Sequence, residues 1–148
     1  MQSAFSFSDA VSFATQHPVV WLATSQADTP HVRGMWMWFA DETGFYFHTG
    51  SMKRLGQQLR ENPKVEAAFH DPSQGQGQSR MMRVSGTVEL LDDPSLRTRL
   101  MAERAWLAPV FEAYPDATLD IFRIPHGEIQ FWSMAVNCRE REQPVLPF

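Results

Sequence analysis

A hydroxyl, a glycine, a second hydroxyl and two cations stand close together in Thr49-Gly50-Ser51-Met52-Lys53-Arg54. Here an aromatic, strand-like run, Phe45-Tyr46-Phe47, gives way to a helical pattern. Phosphate groups are held by backbone N–H groups at a helix start, by hydroxyls and by Arg or Lys. The stretch supplies all three, in Thr49, the helix start at Ser51, and Lys53. Arg33 joins them if strand 31–40 folds back on strand 45–49 as a simple hairpin about the 41–44 turn. A lysine at a helix N-terminus opposes the macrodipole, and a bound anion would repair that placement. The same residues also fit a plainly capped helix with solvated cations, and spacing alone leaves both readings open.

Residues 33–38, Arg-Gly-Met-Trp-Met-Trp, alternate. Arg33, Met35 and Met37 share one face of a strand, and Gly34, Trp36 and Trp38 share the other. Tryptophans flanking a methionine suit a core or a dimer interface. Gly34 also lets a flat aromatic ligand approach the backbone. Trp132 near the last strand's end reads as core. Arg80, Arg83, Arg97, Arg99 and Arg104 read as a solvated set, with Arg97 and Arg104 on one side of a helix near Glu103. His17, His31, His48, His70 and His126 form no ligand pair by spacing, and Cys138 has no histidine beside it. Neither a metal site nor a cysteine nucleophile is expected. No GxSxG, P-loop or GxGxxG occurs. A phosphate seat and aromatic walls without an evident acid, base or nucleophile describe a flavin site, because the isoalloxazine ring carries its own redox chemistry.

The elements that must position these groups follow from periodicity and breakers. Residues 6–16 form a short helix capped by Ser6 or Ser8 and stopped at His17-Pro18. Residues 19–24, 31–40 and 45–49 read as three strands of an antiparallel meander. A helix over about Ser51–Glu61 carries Leu55 and Leu59 at i, i+4 and ends at Asn62-Pro63. Strand 64–70 follows, then a Gln/Gly loop at 72–80, then a long strand, 81–91, bent at Gly86. A helix over 92–111 starts at Asp93-Pro94. Two strands flank the turn Pro125-His126-Gly127, and a polar, proline-rich tail covers about 137–148. The pattern predicts a mainly β fold of six or seven strands and three helices, an antiparallel barrel with peripheral helices.

The 148 residues form a single domain, and 43% hydrophobic with 20% charged residues predicts a globular chain. Five Trp and eleven Phe predict a large apolar core, an apolar ligand or a hydrophobic subunit interface. A net charge of −4 argues against nucleic-acid binding. Only Lys53 and Lys64 of the 13 basic residues are lysines, and arginine favours forked contacts to carboxylates or phosphates. One cysteine, no leader-like N-terminus and no apolar membrane span point to a cytoplasmic protein.

Taken in order, Arg33-Gly-Met-Trp-Met-Trp38, Phe47-His-Thr49, Ser51-Met-Lys53, Glu61-Asn-Pro63, Arg80-Met-Met-Arg-Val-Ser-Gly86 and Ile129-Gln-Phe-Trp132 resemble a known family. It is the pyridoxamine 5′-phosphate oxidase-like family of FMN-binding split barrels, and the match runs over about residues 15–135. The resemblance implies a six-stranded antiparallel split barrel that forms a homodimer, with non-covalent FMN at the subunit interface. It implies that Arg33 and Lys53 are the phosphate cations, and that His48 and Thr49 touch phosphate and ribityl. Ser51 belongs to the same seat. The backbone of Met35, Trp36, Met37 and Trp38 would border the isoalloxazine. Met52 stands where the oxidases carry an arginine, and Met81 where they carry a flavin-contacting glutamine. Trp132 resembles their flavin-side tryptophan, given by the other subunit.

Where the oxidases grip their substrate, the chain departs from them. Trp38 replaces a lysine, Arg99 and Glu103 fall near a Tyr and an Arg, and the region Cys138–Glu140 lacks the family's histidine. The expected function is therefore an FMN-dependent oxidoreductase of unassigned substrate, reduced by NAD(P)H or another small molecule. A non-catalytic flavin- or haem-binding module, a deazaflavin in place of FMN, and pyridoxamine 5′-phosphate oxidation itself remain the alternatives.

Overall fold

The computed structural model describes residues 5–148. Helix α1 (Phe7–Gln16) opens on a capping box: the Asp9 N–H donates to the Ser6 hydroxyl at 3.2 Å, and the Ser6 N–H donates to the Asp9 carboxylate at 2.9 Å. Its buried face carries Ala10, Phe13 and Ala14. Strands β1 (Val19–Gln26) and β2 (Thr29–Trp36) form a hairpin. Ala27 and Asp28 supply its turn in the left-handed region, at φ 48° and 62°.

The strand expected over 31–40 is two strands in two sheets. After Trp36 the Met37 N–H donates to the Pro18 carbonyl, and the next N–H, of Trp38, donates to the Tyr46 carbonyl. The chain thus changes sheets within two residues, so the three-strand meander does not form. Strand β3 (Phe39–Asp41) pairs with β4 (Gly44–Gly50) about the 41–44 turn, while β2 pairs with β1. Arg33 is therefore not a hairpin neighbour of Thr49.

Helix α2 (Arg54–Glu61) and strand β5 (Lys64–Asp71) follow as expected, except that the helix starts three residues late. The long strand expected over 81–91 also splits, into β6 (Arg80–Thr87) and β7 (Glu89–Leu91). At the bend a Cβ on Gly86 would lie 2.4 Å from the His126 carbonyl oxygen, so that backbone approach needs glycine.

Asp93 caps α3 (Pro94–Glu103), accepting from the Ser95 N–H at 2.9 Å. The helix expected to continue to 111 breaks instead at Arg104 (φ −123°, ψ 57°), resumes as a 3-10 turn over Ala105–Leu107, and ends as α4 (Ala108–Ala113). Strands β8 (Leu119–Ile124) and β9 (Gly127–Ser133) lie in different sheets. The polar, proline-rich tail is built into the fold. Its segment Met134–Glu142 is 3-10 helical, and β10 (Val145–Pro147) pairs with β9. Phe148 stacks on Phe7 at 5.1 Å.

The result is ten strands and four α-helices among the described residues, in two antiparallel sheets. One is ordered β10-β9-β6-β5-β1-β2, the other β3-β4-β8-β7. The main core between them holds Val20, Leu22, Phe45, Phe47, Phe69, Met82, Phe122 and Ile129. Alternate residues of β8 face the other way, where Leu119 and Ile121 join Leu100 and Leu107 beneath α3. No helix among the described residues is long and apolar enough to cross a membrane.

Candidate functional site

A cleft of about 740 Å³ opens where the β2 edge of the larger sheet meets the end of β4. Six consecutive residues of β2, His31 to Trp36, line it. Side chains of both faces take part, so the free edge of the strand, with its unpaired backbone groups, runs along the opening. Thr49 and His48 come from β4, Lys53, Arg54, Leu55 and Gln58 from the start of α2, and Arg104 and Trp106 from the break after α3.

The cleft is a concentration of positive charge on an acidic protein. Arg33, Lys53, Arg54 and Arg104 line it, and among the described residues no carboxylate does. Arg33, Lys53 and Arg104 are placed in different ways. The Arg33 guanidinium donates to the Thr24 hydroxyl at 2.8 Å, to the Leu22 carbonyl at 3.2 Å and to the Gln58 side-chain carbonyl. Thr24 also donates to that Gln58 oxygen at 2.9 Å. Two buried polar side chains, Thr24 and Gln58, thus fix Arg33 at the floor. Lys53 is the N-cap of α2 and its side chain caps nothing, so the first helix N–H groups have no side-chain partner there. Arg104 donates to His48 Nε2 at 2.6 Å and to the Met37 carbonyl at 2.9 Å.

That contact fixes the state of His48. Arginine only donates, so Nε2 must accept and the proton sits on Nδ1. Burial first, and then the charges of Arg104 and Lys53, push the His48 pKa down to about 4. The imidazole is neutral at pH 7 and is no acid there.

The other anticipated residues fall in several places. Met35 and Trp36 line the cleft, as does Met52. Met37 is buried and contributes its carbonyl to Arg104. Trp38 turns away, its indole N–H donating to Glu103 at 2.7 Å. Ser51 does not cap the helix, because its hydroxyl accepts from the Thr118 N–H at 2.9 Å and it lines a smaller hollow beside Met52 and Tyr114. Met81 and Trp132 sit opposite each other on β6 and β9. Strands β1 and β5 separate β6 from β2, so neither residue reaches the cleft of its own chain.

From the sequence alone, Gln58 and Trp106 carry no role, Arg54 is unassigned beside Lys53, and Arg104 falls among solvated arginines. Gln58 had a usable signal, being a polar residue between Leu55 and Leu59 on the buried side of a helix. Arg104 had none. A continuous helix would place it beside Arg97 in solvent, and only the break turns it inward.

The sequence matches the pyridoxamine 5′-phosphate oxidase family over residues 8–133. The chain belongs to that family. A pyridoxine/pyridoxamine 5′-phosphate oxidase from Pseudomonas paraeruginosa is 29% identical over 126 residues, covering 80% of this chain and 57% of its own length. The chain thus spans little more than half of that relative. A NimC/NimA family protein from Clostridium acetobutylicum shares the fold with a TM-score of 0.73 at 20% identity, covering 95% of this chain and 92% of its own. So does an FAD-binding protein from Mesorhizobium loti, with a TM-score of 0.63 at 19% identity over 86% and 94% of the two chains. A haem storage protein from Vibrio cholerae has a TM-score of 0.62 at 13% identity over 86% and 93%. The split-barrel resemblance read from the motifs therefore holds, and flavin-binding and haem-binding proteins both use this fold.

Proposed function

We propose that this family member is a homodimeric FMN-binding protein and an oxidoreductase, with FMN held non-covalently in the cleft. The observation that carries the reading is the set of four cations lining one cleft with no carboxylate among the described residues. A flavin phosphate of about −2 charge fits the end built by Arg33, Thr49, Lys53 and the start of α2. The volume of about 740 Å³ lies within the range of small-molecule sites, about 300–1,000 Å³. The open β2 edge and the faces of Met35 and Trp36 offer a border for the flat ring. When bound, the flavin supplies the acceptor for a hydride or electrons. The protein's own groups hold and orient it, and we propose NAD(P)H or another small reductant as donor.

The homodimer is supported by the outer face of the larger sheet. Val19, Trp21, Val32 and Trp36 are 45–66% exposed there. Trp21 lies against Gly34, where a Cβ would be 3.4 Å from its ring. Register places Trp36, Val19, His70, Met81 and Trp132 in one row across that face. A two-fold pairing of such a patch would carry the partner's row towards the cleft.

An absorption spectrum of the purified protein tests the function. The expected result is a yellow protein, or a colourless one that takes up FMN with flavin absorption, releasing FMN on denaturation. A Soret band, or no FMN uptake on titration, would overturn it.

A further inference from the structure

The cleft holds more positive charge than one phosphate can use. Arg33, Lys53, Arg54 and Arg104 bring four formal charges, and a phosphate monoester offsets about two of them. The cations also divide in space. Successive residues of β4 point to opposite faces, so Thr49 shares a face with Phe45 and Phe47 of the main core, and His48 does not. Arg33 is anchored from the larger sheet and α2, on Thr24, Leu22 and Gln58. Arg104 is anchored on His48 and the Met37 carbonyl, and the two guanidinium groups share no partner.

Arg104 is held but not consumed. Two protein acceptors take two of its five N–H donors, which leaves three. Glu103, its neighbour in sequence, acts on it only through space, because one carboxylate oxygen accepts from Arg99 at 2.7 Å and the other from the Trp38 indole at 2.7 Å. Beside it in the cleft stands Trp106, 66% exposed, and Met52 is exposed as well. A rigid guanidinium fork next to an open indole face suits a ligand with a flat apolar body and an oxyanion.

We infer that Arg104 is a second oxyanion seat, separate from that of Arg33 and Lys53, for a carboxylate or phosphate on a flat apolar ligand. Building on the flavin reading, the oxyanion belongs either to the substrate or to the second phosphate of a dinucleotide flavin. Arg104 would set that specificity.

Inorganic phosphate titrated into the flavin-free protein, followed by phosphorus NMR, tests the seat. Two seats are expected. Arg33→Gln should weaken one tenfold or more, and Arg104→Gln the other. Arg104→Lys keeps the charge but loses the fork, and should weaken the second seat severalfold. It carries the test if thermal melting shows the glutamine variant unfolded. FMN added first should close only the Arg33 seat. If FAD closes both, the second seat serves the cofactor. If FAD leaves it open, it serves the substrate. A single phosphate seat, unchanged phosphate binding in the folded Arg104 variants, or equal loss of FMN affinity in Arg104→Gln and Arg33→Gln would each overturn the inference. Two intact phosphate seats in a protein that binds no flavin would overturn the flavin reading and leave this one standing.

Discussion

The side-chain carbonyl of Gln58 accepts a hydrogen bond from the Arg33 guanidinium. The partner is neutral, so it aims the cation without cancelling its charge. Gln58→Glu would keep the geometry and add a charge that neutralises Arg33. It should lower FMN affinity tenfold or more while leaving the melting temperature unchanged or raised. Gln58→Ala should cost about 1–3 kcal/mol of stability, because Thr24 and Arg33 lose a buried acceptor, with a smaller loss of affinity. FMN titration and thermal melting of both variants read this out. Equal affinity losses would mean that charge at Arg33 is not what holds the ligand.

Removing both cations at the phosphate end should weaken ligand binding far more than it weakens the fold. Arg33→Ala with Lys53→Ala is expected to weaken FMN at least tenfold, as charge-assisted bonds of about 1.5–3 kcal/mol each are lost. Unchanged affinity by fluorescence titration would move the phosphate elsewhere.

The burial of His48, with Arg104 beside it, makes a pH prediction with a definite sign. The folded pKa, about 4, lies below the ordinary value of 6.5. Above pH 6.5 neither folded nor unfolded chain protonates this group, and its neutral-state contacts contribute fully. As pH falls from about 6.5 to about 4, the unfolded chain binds the proton first and stability drops. His48→Gln keeps an acceptor but cannot titrate. Denaturant midpoints at pH 7.5 and pH 5 should therefore differ less in His48→Gln than in the parent. An identical pH difference would show that His48 does not titrate low.

Two tryptophans test the assembly. Trp21 and Trp36 are 56% and 62% exposed on the outer sheet face. Trp21→Glu with Trp36→Glu should give a monomer by light scattering, and weaker FMN binding if the partner completes the site. A monomeric parent protein would refute the pairing.

Much of this architecture was legible in the residues. Strand alternation in Val65, Ala67 and Phe69, the Ser6 cap (one of the two serines expected) and the Asp93 cap are local and appear as expected. The corners were not legible. Met37-Trp38 and Val88 continue an apolar strand pattern, and only pairing with Pro18, Tyr46 and Pro63 makes them leave one sheet. The site divides in the same way. Thr49 and Lys53 belong to one continuous junction and could be read together. Arg33 does reach the same cleft, but across the gap between sheets rather than through a hairpin. Arg104 arrives through a helix break that Pro109 forces nearby, but which way the guanidinium turns there is set by His48 and the Met37 carbonyl.

The free edge of β2 has one more consequence. An open strand edge is a template on which another chain can add itself, and natural proteins usually cover or blunt it. Here the edge borders the cleft, so a flat molecule bound there would also act as an edge guard. Stripped of ligand, the protein should gain a route to strand-by-strand aggregation that the loaded form lacks, with nucleation at Thr29–Trp36.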